Sequence, residues 1–306
     1  MKKLLSIVGP TAVGKTRLSL LLAEHFGTDI ISTDARQFYI GMDIGTAKPS
    51  QEERRGISHH FVDCLQPDQN ITAAEYAKQA EALIEQQHQF HDFLITVGGS
   101  TLYNDVLWNG LNDIPPTDPS VRAALEKQWK TEGLEAMVDQ LAQYDPITYQ
   151  KIDRKNPVRI IRALAVYVQT GHPISSFQLG RSTPDRPYQL IKIGLTDERE
   201  PLYQRINERV DQMLEAGLVA EVDKLMAQGF GLMYQSMQSI GYQEIIAWKN
   251  GQYDKDEAIR LIKRNSRRYA KRQLSWFKRD PEIRWFQASK WQDVLPWLRH
   301  EIKNIG

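Results

Sequence analysis

At 306 residues, with 41% hydrophobic and 25% charged side chains, the chain is long enough to bury a substantial core unaided, and its composition is that of an ordinary globular protein of one large or two moderate domains. A formal net charge of +1 excludes a uniformly basic nucleic-acid coat, although a local basic patch stays open, so the placement of charge matters more than its sum. The single cysteine, Cys64, excludes an intrachain disulfide and a thiolate metal cluster, fits a reducing compartment, and is expected to be a buried small hydrophobe rather than a nucleophile.

Met1-Lys2-Lys3 and the apolar residues 4–8 have the outline of a secretion signal, but Gly9-Pro10 ends the run too early. No later stretch approaches the roughly 20 apolar residues of a membrane span, so a cytoplasmic protein is expected. Residues 4–8, the glycine-rich turn after them and a leucine-rich helical pattern over 16–25 read as strand, loop and helix. Further strands are predicted at 30–32 and 93–97. Between them lies a helix over 72–89, capped by Thr72 and apolar at Ala73, Tyr76, Ala80, Leu83 and Ile84. Strands separated by helices predict an α/β fold with a parallel sheet covered on both faces.

Three prolines within residues 115–119 mark a break in the segment 113–119, and residues 120–167 then read as consecutive helices without a strand. A second break at 181–187 precedes an apolar strand at 190–195, followed by helices within 202–228 and 240–276. The expected organisation is an α/β core of residues 1–114 and 188–306 interrupted by an all-helical insertion domain, 115–187. No internal repeat or low-complexity segment is present.

Gly9-Pro10-Thr11-Ala12-Val13-Gly14-Lys15-Thr16 matches the phosphate-loop pattern, and its position between a strand and a helix makes the match credible. The glycines let backbone N–H groups and the helix N-terminus face a phosphate; Lys15 adds a point charge and Thr16 a hydroxyl for Mg²⁺. P-loop ATPases also place an acid after an apolar strand to help hold the metal. Here the strand 93–97 runs into Gly98-Gly99-Ser100-Thr101, which weakens an ATPase reading and leaves open a diphosphate as leaving group.

Asp34 lies just past the strand 30–32, at the end of an α/β sheet where ligands bind, and is expected near the phosphates as a metal holder or a general base; a turn or cap role is the structural alternative. In the following loop, 41–49, Thr46 and Lys48 are within reach of a phosphate. His59 and His60, adjacent on an extended segment, point to opposite faces and are expected to pack or hydrogen-bond rather than share a metal ion.

These segments together resemble the tRNA dimethylallyltransferases, the bacterial MiaA family. The likeness is carried by the phosphate loop 9–16, Asp-Ala-Arg-Gln-Phe-Tyr at 34–39, Gly-Met-Asp-Ile-Gly-Thr-Ala-Lys-Pro at 41–49 and His-His-Phe-Val-Asp at 59–63. It continues through Gly-Gly-Ser-Thr-Leu-Tyr at 98–103, Asn-Pro-Val-Arg-Ile-Ile-Arg-Ala-Leu at 156–164, Ile-Gly-Tyr at 240–242 and 268–277, and so spans nearly the whole chain. The resemblance implies a P-loop NTPase-like core and transfer of a dimethylallyl group from dimethylallyl diphosphate to the exocyclic amine of the adenine 3′ of a tRNA anticodon.

It also implies roles. Asp34 is the catalytic base, acting with Lys15 and Thr16; Gly9, Pro10, Thr11, Ala12, Val13, Gly14, Lys15 and Thr16 hold the diphosphate, with Mg²⁺ on Thr16. Asp34, Ala35, Arg36, Gln37, Ser100 and Arg122, together with Val158, Arg159, Ile160, Ile161 and Arg162 of the insertion, contact the tRNA anticodon stem-loop. Two departures stand out: Ala35 where the family commonly has Ser, and Ser100 where Thr is usual. The single cysteine rules out the cysteine-bearing zinc finger of eukaryotic relatives.

The residues are chemically consistent with that reaction. Arg209 is either a guanidinium for the departing diphosphate or a solvated helix charge. Arg159 and Arg162, one helical turn apart, have the spacing to face one RNA strand. Residues 260–279 hold nine Lys or Arg and no acid, with Tyr269, Trp276 and Phe277 interleaved: a surface for single-stranded RNA, or a solvated helix packing by its aromatics. Competing functions are a P-loop small-molecule kinase, an isopentenyltransferase for free adenine nucleotides and a non-catalytic RNA-binding module. No membrane and no obligate protein partner are expected, and a monomer is favoured.

Overall fold

The computed structural model describes residues 2–110, 112, 114–177 and 185–304. Parts of both predicted breaks, Asp113 and residues 181–184, lie outside the described residues. The chain divides into two compact units: residues up to Trp108 together with those from Asp185 onward, and Asn109–Pro184.

Six strands build the first unit: β1 (Lys2–Val8), β2 (Ile30–Ser32), β3 (His59–His60), β4 (Phe93–Val97), β5 (Tyr188–Thr196) and β6 (Arg284–Gln287). They form one all-parallel sheet in the order β3-β2-β4-β1-β5-β6. Alternation along β1 supplies both faces. Leu5 and Ile7 pack with Leu18 and Leu22 of α1 (Lys15–Phe26), while Leu4 and Val8 pack with Tyr76, Ala80 and Ile84 of α2 (Ala73–Gln87) and with Leu107 and Trp108 of α3 (Thr101–Asn109). The polar member of the second face, Ser6, is satisfied where it is buried: Thr96 Oγ1 and Trp108 Nε1 donate to its hydroxyl at 2.8 and 3.0 Å. Thr72 caps α2 in a reciprocal box with Glu75.

The second unit is helical: α4 (Pro119–Tyr144), bent at Gly133, then α5 (Pro146–Lys151), α6 (Pro157–Thr170) and α7 (Ile174–Phe177). Ile160, Ile161, Leu164 and Ala165 of α6 bury against Leu125, Met137 and Leu141 of α4. Asp145 closes the unit by accepting from the N–H groups of Thr148 and Ser175, both at 2.9 Å. Burial alone would raise its carboxyl, but these bonds outweigh it and hold the pKa below the usual range.

After β5 the first unit continues through α8 (Arg199–Glu215), α9 (Leu218–Ala227), α10 (Tyr242–Lys249), α11 (Lys255–Phe277) and α12 (Val294–Asn304). Gly217, at φ 100, separates α8 from α9 within the stretch read as helical from sequence. Val210, Val222, Ile245 and Ile262 form a satellite core that seats Tyr39 and Met42, the residues leading into the 41–49 loop.

Candidate active site

The phosphate loop follows β1. Gly9, at φ 147, presses on β5 so closely that a β-carbon would lie 2.4 Å from the Leu195 carbonyl oxygen. Ala12 and Gly14, at φ 60 and 101, turn the chain into α1, whose N-terminus carries no side-chain cap and so leaves its first N–H groups for an anion. Val13 anchors the loop in the core. Pro10 offers no N–H; its carbonyl accepts from Lys15 Nζ at 2.8 Å, and the Ala12 carbonyl accepts from Arg205, itself paired with Asp197 at 2.5 Å.

Thr11 is a partial exception among the predicted diphosphate ligands. Its N–H donates to Gln273 Oε1 at 2.9 Å, so only its hydroxyl is left to face the cavity it lines. Thr16 is exposed at the first turn of α1.

Asp34 begins the turn after β2. Its Oδ1 accepts from the Arg36 N–H at 3.1 Å, and its own N–H donates to Ser32 Oγ at 3.3 Å, so the carboxylate is oriented by its own loop. The next N–H, of Ala35, donates to Ser100 Oγ at 2.9 Å. Tyr269 shares that hydroxyl, and burial together with the charge of Asp34 pushes its phenol up to about 12.

A cavity of about 370 Å³ is lined by Thr11, Ala12, Asp34, Arg36, Arg209 and Tyr269, among others. A second, lined by Lys15, Thr16, Arg205 and Arg209, shares Ala12 and Arg209 with the first. Thr11 and Ala12 of the phosphate loop thus line the same cavity as Asp34, and Arg209 borders both cavities. Burial pulls Lys15 down to about 8; Asp34 opposes the shift and Arg209 adds to it. Burial likewise lowers Arg209, against the pull of Glu53 and Asp34. Arg209 is no solvated helix charge: it faces the cavities, and among the described residues it forms no hydrogen bond or ion pair.

Several sequence expectations require correction. Lys48 does not reach for a phosphate. It is 3% exposed and bonds the Tyr39 carbonyl, Asp43 and Asp63 at 2.7, 2.7 and 2.5 Å. Thr46 donates to the Met42 carbonyl at 2.6 Å, so both residues brace their own loop. Cys64 is exposed rather than buried, because its N–H and that of Leu65 both bond the Phe38 carbonyl in a turn that faces outward. His59 and His60 hydrogen-bond as expected, to the Ile57 carbonyl and to Asp29.

Ser100 is only 8% exposed and holds the Asp34 turn rather than presenting a free hydroxyl. Gln37 accepts from Ser32 Oγ at 3.3 Å, and Arg36, bonded to the Gln235 carbonyl, lines the cavity. In the helical unit Ile160 and Ile161 are core residues, so their side chains are unavailable to RNA. Arg162 bonds Thr117 and the Pro115 carbonyl, and only Val158 and Arg159 of that segment are exposed. Arg122 pairs with Glu126 at 2.8 Å, the i,i+4 neighbour on α4.

The basic run on α11 is similarly divided. Arg260, Lys263 and Arg267 bond Glu257, Asp211 and Asn207, while Arg268, Lys271, Arg272, Lys278 and Arg279 are exposed. Its aromatics are not a stacking platform: Phe277 is buried, Trp276 packs on the core and Tyr269 lines the cavity.

Sequence reading missed three residues that act from far along the chain. Glu221 accepts from the N–H groups of Asp43, Ile44 and Gly45 at 2.9, 2.8 and 3.1 Å and from the Tyr242 hydroxyl at 2.5 Å. Tyr242 packs where a β-carbon on Gly45 would lie 2.4 Å from its ring, and Gln273 holds Thr11. Tyr242 and Gln273 fall within stretches that carry the family resemblance, 240–242 and 268–277, without a role being legible there, and Glu221 carries no such signal.

A parallel sheet with a phosphate loop at the end of its central strand, and a carboxylate across a shared cavity, defines a P-loop enzyme of the group-transfer kind. The sequence profile of the IPP transferase family matches residues 37–280, and the chain belongs to that family, the tRNA dimethylallyltransferases. It is 46% identical over 294 residues to the tRNA dimethylallyltransferase of Geobacter metallireducens, covering 96% of this chain and 95% of the relative. The crystal structure of the full-length tRNA isopentenylpyrophosphate transferase of Bacillus halodurans superimposes with a TM-score of 0.74 at 39% identity, covering 99% and 98% of the two chains. A eukaryotic dimethylallyltransferase acting on tRNA gives 0.83 at 26% identity, covering 99% of this chain and 80% of its own. No described helix is long and apolar enough to cross a membrane.

Proposed function

We propose that this protein transfers a dimethylallyl group from dimethylallyl diphosphate to the exocyclic amine of the adenine 3′-adjacent to a tRNA anticodon. The reading rests on family membership together with the cavity that Asp34 lines with Thr11 and Ala12 of the phosphate loop, Arg209 bordering both it and the cavity of Lys15 and Thr16. Kinases also place a carboxylate at their acceptor, so the cavity fits both chemistries, and membership of the tRNA dimethylallyltransferase family favours alkylation of an amine.

The amine nitrogen attacks the allylic carbon, the carbon–oxygen bond breaks, and its electron pair leaves with diphosphate. The nitrogen becomes cationic as its new bond forms, and Asp34 takes its proton; a positioned base of this kind contributes ~10²–10⁴ in rate. Lys15, Arg209 and the N–H groups at the head of α1 meet the charge that gathers on the departing diphosphate. Extruding the adenine from the anticodon loop costs a few kcal/mol. The basic residues exposed on and just after α11, and Val158 and Arg159 on the helical unit, offer surfaces to RNA.

The residues present suit Mg²⁺. No described cluster of three or more His, Cys, Asp or Glu forms an all-protein cage, and Thr16 supplies one hard oxygen next to where phosphate oxygens would complete the shell. When bound there, the ion would neutralise part of the diphosphate charge.

The test is transfer of label from radiolabelled dimethylallyl diphosphate to unmodified tRNA, run beside free AMP and an Asp34→Ala variant. Label in tRNA, absent from AMP and reduced ~10²–10⁴-fold in the variant, is the expected result. Label in AMP alone would shift the acceptor to free nucleotides, and phosphoryl transfer from ATP without prenyl transfer would sink the reading.

A further inference from the structure

Gln273, on α11, is 2% exposed. Its Oε1 accepts from the Thr11 N–H at 2.9 Å and its Nε2 donates to the Gly99 carbonyl at 2.8 Å, an arrangement only a group carrying both an acceptor and a donor satisfies. Its partners lie 262 and 174 residues away in sequence. A β-carbon on Gly99 would stand 2.2 Å from Nε2, so the glycine makes room for this amide. One residue on, Ser100 Oγ accepts from the N–H of Ala35, the residue after Asp34. Three hydrogen bonds thus run from the phosphate loop to the turn that carries the acid: Thr11 to Gln273, Gln273 to Gly99, and Ala35 to Ser100.

We propose that Gln273 is a positioning residue that fixes the phosphate loop against the Asp34 turn and so sets the spacing between the bound diphosphate and the acceptor amine. This rests on the prenyl-transfer reading. In-line displacement at carbon is sensitive to that spacing, since a misplacement of about 1 Å costs on the order of 10²-fold in rate. An apolar residue would fill the same space but would leave the Thr11 N–H and the Gly99 carbonyl unpaired, with nothing to fix their separation.

Two variants test this, Gln273→Glu and Gln273→Met. Near neutral pH the Glu carboxylate keeps the bond from Thr11 but faces the Gly99 carbonyl, and kcat should fall about 10- to 100-fold relative to wild type. As pH falls toward about 5, a protonated carboxyl presents one acceptor and one donor, and the ratio of variant to wild-type kcat should climb back toward one. Lys15 and Tyr269, at about 8 and about 12, hold one charge state across that window. Gln273→Met should stay low at every pH, with the affinity for inorganic diphosphate kept within about threefold.

A flat ratio for Gln273→Glu, or wild-type kcat in either variant, overturns the proposal. So does a loss confined to melting temperature. Hydrogen exchange over residues 9–16 gives a readout free of activity: protection of the Thr11 amide in wild type and its loss in Gln273→Met are expected, and equal exchange refutes the link. If wild type transfers no prenyl group, the functional reading falls by itself, and the exchange experiment still decides whether Gln273 holds the loop.

Discussion

Lys15 shows how the fold sets chemistry one side chain at a time. Held by burial at about 8, it is only partly charged in mildly alkaline solution. A bound diphosphate favours the charged form, so binding draws in a proton wherever the resting amine is neutral. The sign follows: below about pH 8 the KM for dimethylallyl diphosphate should be flat, and above it KM should rise about tenfold per pH unit until the bound form also titrates. An initial-rate series across pH 7 to about 9.5 measures it, and a KM that falls or stays level through that range would contradict the assignment. The motif made Lys15 and Thr16 legible in the sequence, as did the position of Asp34 just past a strand. Lys48 was misread because its partners Asp43 and Asp63 become visible only once the loop folds back on itself, and a lysine beside phosphate-binding sequence looks the same whether its charge is free or spent. Ile160 and Ile161 were misread for the converse reason: a motif matched as a string carries its buried positions along with its exposed ones.

Among the elements, the loop 41–49 owes its shape to Glu221. One carboxylate caps three successive N–H groups and the Tyr242 hydroxyl, and burial beside that carboxylate drives the phenol well above its usual range. Glu221→Ala removes all four bonds and should cost about 3 kcal/mol of stability, read from urea unfolding. Tyr242→Phe leaves the N–H cap in place and should cost about 1 kcal/mol. If the two variants proved equally mild, the loop would be held by packing alone. The strands β2 and β4 were legible to the residue, because short apolar runs between glycine and polar turns have few other readings. By contrast β3 is two residues long, and β6 is the charged, half-exposed segment Arg-Trp-Phe-Gln. Neither carries a periodic signal; they are strands because a neighbour's backbone offers them partners. On α11 the charge run was legible but its division was not, since only the fold decides which cations meet Asp211 and Asn207.

For the molecule as a whole, the order β3-β2-β4-β1-β5-β6 has a consequence for synthesis. The first strand made lies in the middle of the sheet, and one of its two neighbours is β5, which pairs with it at seven positions from Lys2–Tyr188 to Val8–Gly194. Everything between, including the whole helical unit, leaves the ribosome before that side of β1 is covered. The helical unit has its own core and is synthesised in full just before β5. The nascent chain therefore carries β1 with one edge of main-chain N–H and C=O groups unpaired for well over half of its translation. Fragments ending at residue 187 should aggregate when expressed, while those extended past residue 287 should stay dispersed, as sedimentation of the translated products would reveal. The strand that sets the phosphate loop is thus also one whose second edge waits longest for its partner while the polypeptide is being made.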